Sequence, residues 1–82
     1  MNFIEINLGT MERLQRFLEI ANKYTTNNVV EVWNKNETRV YSANSVVSVF
    51  CLDFTKPVMT RIFGNSEISK RFYDEMGEFV NE

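Results

Sequence analysis

Few side chains in this sequence could do chemistry, and their types restrict what that chemistry is. Histidine is absent altogether. Its absence removes an imidazole base, a Ser-His or Cys-His nucleophile pair, a phosphohistidine and most zinc sites. The single thiol, Cys51, stands between Phe50 and Leu52 with no cation within two residues to lower its pKa. A buried structural thiol is therefore expected, not a nucleophile. With one cysteine there is neither an internal disulfide nor a cysteine metal cluster. Gly9, Gly64 and Gly77 are too scattered for a phosphate loop or a dinucleotide fingerprint. Asp53 with Glu5 or Glu31 reads as a set of solvent-facing acids, not a metal site. Together these absences argue against an enzyme, and no metal or cofactor is expected.

Binding chemistry is the alternative. Trp33, Tyr41 and Phe3 are expected to gather on an open sheet face, where aromatics could stack bases. Eleven acids against nine bases give a net charge of −2, and the pI is near 5.1. That balance weighs against nucleic acid. It leaves cross-strand packing or a dimer contact for these rings. No apolar run approaches the roughly 18 residues of a membrane span. Met1-Asn2-Phe3-Ile4-Glu5 also lacks the basic start and apolar stretch of a signal peptide. The expectation is a cytoplasmic protein with no membrane partner.

The elements that must position these residues fit one domain, 1–82, of 9.7 kDa. Hydrophobic residues at 44% and charged residues at 24% are those of an ordinary folded chain. Ile4, Ile6 and Leu8 alternate with Phe3, Glu5 and Asn7, which predicts a strand over 3–8 with one buried face. Gly9 ends it, and Thr10 is a candidate N-cap with Glu12 in the first turn. Leu14, Phe17, Leu18 and Ala21 then fall on one helical face, with Arg16 able to pair with Glu12. Val29 to Trp33 predicts a second strand, Asn34-Lys35-Asn36-Glu37 a turn, and Thr38 to Tyr41 a third strand. The run Val46 to Leu52 is valine-rich like a strand but follows helix-capping residues, and local pattern leaves both open. Val58 to Phe63 predicts the fourth strand. Asn65 and Ser66 then cap a helix with Ile68, Phe72, Met76 and Phe79 on one face. Lys70 can pair with Asp74, and Arg71 with Glu75. This order makes an α+β open sandwich, with helices over one face of an antiparallel sheet.

Three stretches resemble the histidine-containing phosphocarrier protein (HPr) family of the bacterial sugar phosphotransferase system. Ala21-Asn22-Lys23-Tyr24 is similar to the end of that family's first helix. Asn44-Ser45-Val46-Val47-Ser48-Val49-Phe50-Cys51-Leu52 resembles its Lys-Ser-Ile-Met-Gly-Val-Met-Ser-Leu segment, and Phe54-Thr55-Lys56-Pro57 the turn that follows. The resemblance covers nearly the whole chain. It implies a βαββαβα fold, a four-stranded antiparallel sheet with three helices on one face, and a short helix starting near Ser45.

It also implies where function would lie. The family's Gly-Ile-His-Ala-Arg-Pro loop corresponds to Leu8-Gly9-Thr10-Met11-Glu12-Arg13, so Thr10 takes the phosphoryl-accepting histidine's place and Glu12 the arginine's. A phosphothreonine ester is a stable product, unlike a labile phosphoimidazole. Glu12 would also repel the dianion that an arginine clamps. The carrier reaction is expected to be absent. Ser45 matches a regulatory serine phosphorylated by an ATP-dependent kinase, with Asn44 in place of the expected lysine; its plainer role is a helix cap. Val47 and Phe50 match an apolar patch that docks partners, although both could instead pack into the core. By helical spacing Val46, Val49 and Leu52 suit the core face better. A binding or regulatory protein with a protein partner is the leading expectation. The alternatives are a carrier using another acceptor and a structural or dimerising module.

Overall fold

Alternating and amphipathic spacing produces a chain of short elements in the expected order. A computed structural model describes residues 3–80. It contains β1 (Ile4–Ile6), α1 (Met11–Thr25), β2 (Val29–Asn34), β3 (Tyr41–Ser42), α2 (Val46–Val49), β4 (Val58–Phe63) and α3 (Ser66–Met76). A 3-10 turn at Gly77–Phe79 follows α3. The strands lie in the order β1-β4-β2-β3, every neighbouring pair antiparallel. The result is an α+β open-faced sandwich, a four-stranded sheet with three helices on one face.

Register explains which side is covered. Val30 lies opposite Ile62, Val32 and Ile4 opposite Thr60, and Asn34 and Ile6 opposite Val58. Apart from the half-buried Ile4 at the sheet edge, this inward row is buried. Thr60 is the polar member at its centre, and its hydroxyl donates to the Glu31 carbonyl at 2.9 Å. Over the row, α1 lays down Leu14, Phe17, Ile20, Ala21 and Tyr24, and α3 lays down Phe72 and Met76. Phe17 meets Phe79 and Tyr24 meets Phe72 edge-on, at 6.2 and 5.3 Å between ring centroids.

Both long helices start as their sequences predict. Thr10 Oγ1 accepts from the Arg13 amide at 3.1 Å, and Asn65 Oδ1 accepts from the Ile68 amide at 2.8 Å. Just before α3 the chain turns so closely that a Cβ on Gly64 would sit 3.0 Å from Asn28 Oδ1 and from Ile68 Cγ2. The C-terminal turn is tied back to the N-terminal strand through one carbonyl. Phe79 O accepts from the Asn7 amide at 2.9 Å and from Arg13 Nη2 at 2.8 Å.

Several expectations are corrected. The third strand forms at Tyr41–Ser42, not from Thr38, because the turn after β2 extends further than a tight hairpin. Residues 35–40 are all exposed, and Asn36 takes a left-handed φ of 70° within that turn. Tyr41 lies opposite Val32 and so faces the core, away from Trp33 and Phe3. Phe79 is buried from the 3-10 turn and not from α3 itself. Among exposed ion pairs, Lys70–Asp74 forms at 3.1 Å. Arg16 turns to Glu19 and Glu78 instead of Glu12, and Arg71 turns to Glu67 instead of Glu75. Glu75 is already occupied: it accepts from Lys23 Nζ at 2.5 Å and from the Tyr24 hydroxyl.

That contact joins α1 to α3 and shifts both partners. Burial, then the hydrogen bond to Glu75, pushes the Tyr24 hydroxyl from 10.0 up to about 12. Burial alone would raise the Glu75 carboxyl, but hydrogen bonds from Lys23 and Tyr24 outweigh it and hold it below its ordinary 4.5. A carboxyl depressed by folding stabilises the fold above its ordinary range and loses that contribution as pH falls through its folded value. A phenol raised by folding contributes below pH 10 and loses its contribution as pH climbs toward 12. Tyr24→Phe should therefore cost about 1.5–3 kcal/mol at neutral pH. Urea unfolding across a pH series should show a flatter acid limb for the variant than for wild type; parallel limbs would contradict the linkage.

Candidate functional site

The valine-rich run that local pattern leaves undecided is settled by its two ends. Alternation along β2 carries Val30, Val32 and Asn34 inward, so the sheet delivers an amide side chain into the core. Asn34 is buried, and its partners are backbone groups of the segment after α2. Its Oδ1 accepts from the Asp53 amide at 2.9 Å and its Nδ2 donates to the Asp53 carbonyl at 2.8 Å. Asn44 does the same at the other end. Its Oδ1 accepts from the Val30 amide at 3.2 Å, and its Nδ2 donates to the carbonyls of Thr25 and Asn28 at 3.0 and 3.1 Å. The neighbouring Ala43 amide donates to the Val30 carbonyl at 2.7 Å.

The segment from Asn44 to Asp53 is thus anchored to two places on β2 that lie four strand residues apart, about 13 Å. Nine extended steps would span roughly 30 Å, whereas nine helical steps rise about 13.5 Å. The chain between the anchors must coil, and valine's preference for sheets is overridden. Residues 46–49 form α2, and turns closed by the Cys51 and Leu52 amides complete the span.

Coiling sorts the side chains. Val49 and Leu52, three apart, point into the core with Ala43. Val47 and Phe50 point outward, 79% and 56% exposed, which excludes the reading in which they pack inside. Two further expectations are overturned. Val46, expected on the core face, is exposed, because a single turn needs only Val49 and Leu52 on its inner side. Cys51, expected to be buried, is exposed for the same reason, lying between the two inward positions. The Phe50 ring meets Phe54 edge-on at 6.3 Å.

The loop between β1 and α1 borders this surface. A Cβ on Gly9 would lie 3.7 Å from the Phe54 carbonyl, and Thr10 and the exposed Met11 follow Gly9 in the chain. Thr10 is the N-cap of α1, and Glu12 is exposed one turn in. The Arg13 guanidinium is directed at the Asn7 and Phe79 carbonyls, at 2.7 and 2.8 Å. A hollow of about 490 Å³ lined by Asn7, Gly9, Thr10, Glu12 and Arg13 therefore presents a carboxylate and a committed guanidinium, a poor setting for a phosphoryl dianion.

Ser45 stands at the N-cap position of α2, yet its hydroxyl makes no capping bond. Its carbonyl accepts from the Ser48 and Val49 amides, while its exposed side chain is not used by the helix. The acids considered as metal ligands lie apart: Glu5 pairs with Lys35, Glu31 with Arg61, and Asp53 with Thr55. Hydrogen bonds from the Thr55 hydroxyl and amide hold the Asp53 carboxyl below its ordinary value.

Sequence reasoning names Val47 and Phe50, which are exposed, and misses the Phe50–Phe54 contact and the two asparagine anchors. Asn34 was recoverable, since the alternation of β2 places it in the buried row. Asn44 carried no signal beyond its capping type. Compared with known proteins, the chain matches no family model, no curated protein and no solved structure.

The anchors make a graded prediction. Asn34→Ala leaves the part-buried amide and carbonyl of Asp53 without their side-chain partner and should cost about 1–3 kcal/mol. Ser45→Ala should cost less than about 0.5 kcal/mol, well below a working N-cap. Urea denaturation midpoints of the two variants test this; equal losses would contradict it.

Proposed function

We propose that this chain is a divergent HPr-like domain that has lost phosphoryl transfer and acts by presenting the α2 face to a protein partner. The observation that carries the reading is the placement of Thr10. It stands at the amino end of α1, one residue after Gly9, which approaches the Phe54 carbonyl, and Phe54 in turn meets the Phe50 ring; the resemblance aligns Thr10 with the phosphoryl-accepting histidine. A threonine there gives a stable ester, not a labile donor, so the apolar surface next to it is what remains to be used. The element order and the helix after Ser45 also support the reading.

The partner's chemistry follows from the surface. Between Ser42 and Thr55 the one charged side chain is Asp53, and the exposed large hydrophobic residues are Val46, Val47 and Phe50, beside the small polar Ser45 and Cys51. An apolar surface on a phosphotransferase-system protein suits it better than a charged one. Ser45, at the edge of this face with an uncommitted hydroxyl, is the residue through which docking would be regulated.

Adding enzyme I should shift the amide resonances of Val47 and Phe50, and Phe50→Asp should abolish the shifts. With phosphoenolpyruvate also present, the intact mass should stay unchanged. A gain of one phosphoryl group would instead mark a working carrier with another acceptor. In the same mass assay, ATP and HPr kinase should label wild type but not Ser45→Ala. Absent shifts would remove the docking reading, and equal labelling would remove the role of Ser45.

A further inference from the structure

The helices cover one side of the sheet, and the other side is neither polar nor blank. Its outward positions carry Phe3, Val29, Trp33, Met59, Arg61 and Phe63. Phe3 packs edge-on to Trp33, with ring centroids 6.1 Å apart. The Arg61 guanidinium lies 5.1 Å from the Trp33 ring and 5.2 Å from the Phe63 ring. Glu31 holds it there, Oε1 accepting from Nε at 2.8 Å and from Nη2 at 2.7 Å. Ring, ring, guanidinium and ring thus form a continuous platform across the central strands, with Met59 buried beneath. Phe3, Val29 and Phe63 stay about half exposed, at 48%, 46% and 53%. A contiguous apolar platform of this kind on a small domain marks an interaction surface.

We propose that this face joins two copies of the chain, sheet against sheet. Charge decides the occupant. Arg61 is matched by Glu31 within the face, and at its edge Lys35 is matched by Glu5 at 3.0 Å. Among the described residues, the surface therefore offers no unmatched positive field to a polyanion and no like-charge repulsion to a copy of itself. A flat, neutral, aromatic plane is most complementary to another of the same kind, and a two-fold axis brings the same patch onto itself. Two sheet faces pack in this way about 10 Å apart.

The body measures 31 × 24 × 22 Å and exposes 5201 Å², of which a standard stable interface would take about 800 Å² from each partner. The α2 face belongs to the helical layer on the opposite side, so dimerisation leaves it accessible. This proposal stands independently of the proposed function.

Trp33 is the sole tryptophan, so its emission reports on this face alone. Sedimentation equilibrium of wild type at about 50 μM should give the dimer mass, in the micromolar-or-tighter range usual for such areas. Dilution should produce monomer together with a red shift of Trp33 emission. Phe63→Glu, at an exposed position, should keep the wild-type circular dichroism and weaken association at least tenfold; Trp33→Ala should do the same. Wild type that stays monomeric at this concentration overturns the proposal. So does a dimer indifferent to Phe63→Glu, a dimer broken instead by Phe50→Asp, or a monomer whose Trp33 emission is quenched by a single-stranded oligonucleotide.

Discussion

The structure depends on two asparagine side chains doing the work of backbone. Asn34 and Asn44 supply hydrogen bonds that a neighbouring strand would otherwise supply, and they fasten both ends of one segment to β2. The anchor spacing suits a coil and is far too short for an extended run. Everything distinctive about the segment follows, including the burial of Val49 and Leu52 and the outward display of Val47 and Phe50. Neutral amides are well suited to this role. Each donates and accepts at once, so a buried asparagine can be fully satisfied without the desolvation cost of a charge.

The same economy bears on function. In the resemblance, the position before the regulatory serine is a lysine and the position at the head of α1 is a histidine. Here both are occupied by residues with structural duties: Asn44 anchors the segment, and Thr10 caps α1. Arg13 likewise serves the fold, binding two carbonyls and lying 5.7 Å over the Phe79 ring. On the proposed reading, the positions that would handle a phosphoryl group carry side chains that hold the scaffold. What the scaffold still displays is apolar surface, at α2 on one side and across the bare sheet on the other. On the proposed reading, these two faces are the ones through which other chains would be met.

Much of the architecture was legible because the signals were periodic. The inward row of β2 and β4, the core faces of α1 and α3, and the caps Thr10 and Asn65 follow from alternation, helical spacing and residue type. Three things were not legible, each because a distant contact outweighed a local one. The run after Ser45 is helical because of where its ends are tied, which valine propensity does not report. Cys51 and Val46 are exposed because one helical turn has room for only two inward residues. Glu75 ignores its neighbour Arg71 because α1 brings Tyr24 and Lys23 to it from 51 and 52 residues away.

Amide hydrogen exchange tests the anchor account most directly, because it resolves which parts of the chain open together. Asn34→Ala should speed exchange at Val49, Leu52 and Asp53, while the paired amides of β2 and β4 keep nearly the protection set by global unfolding. A variant that loses protection uniformly across sheet and α2 alike would show that the asparagine does not hold the segment in place, and the account would be wrong.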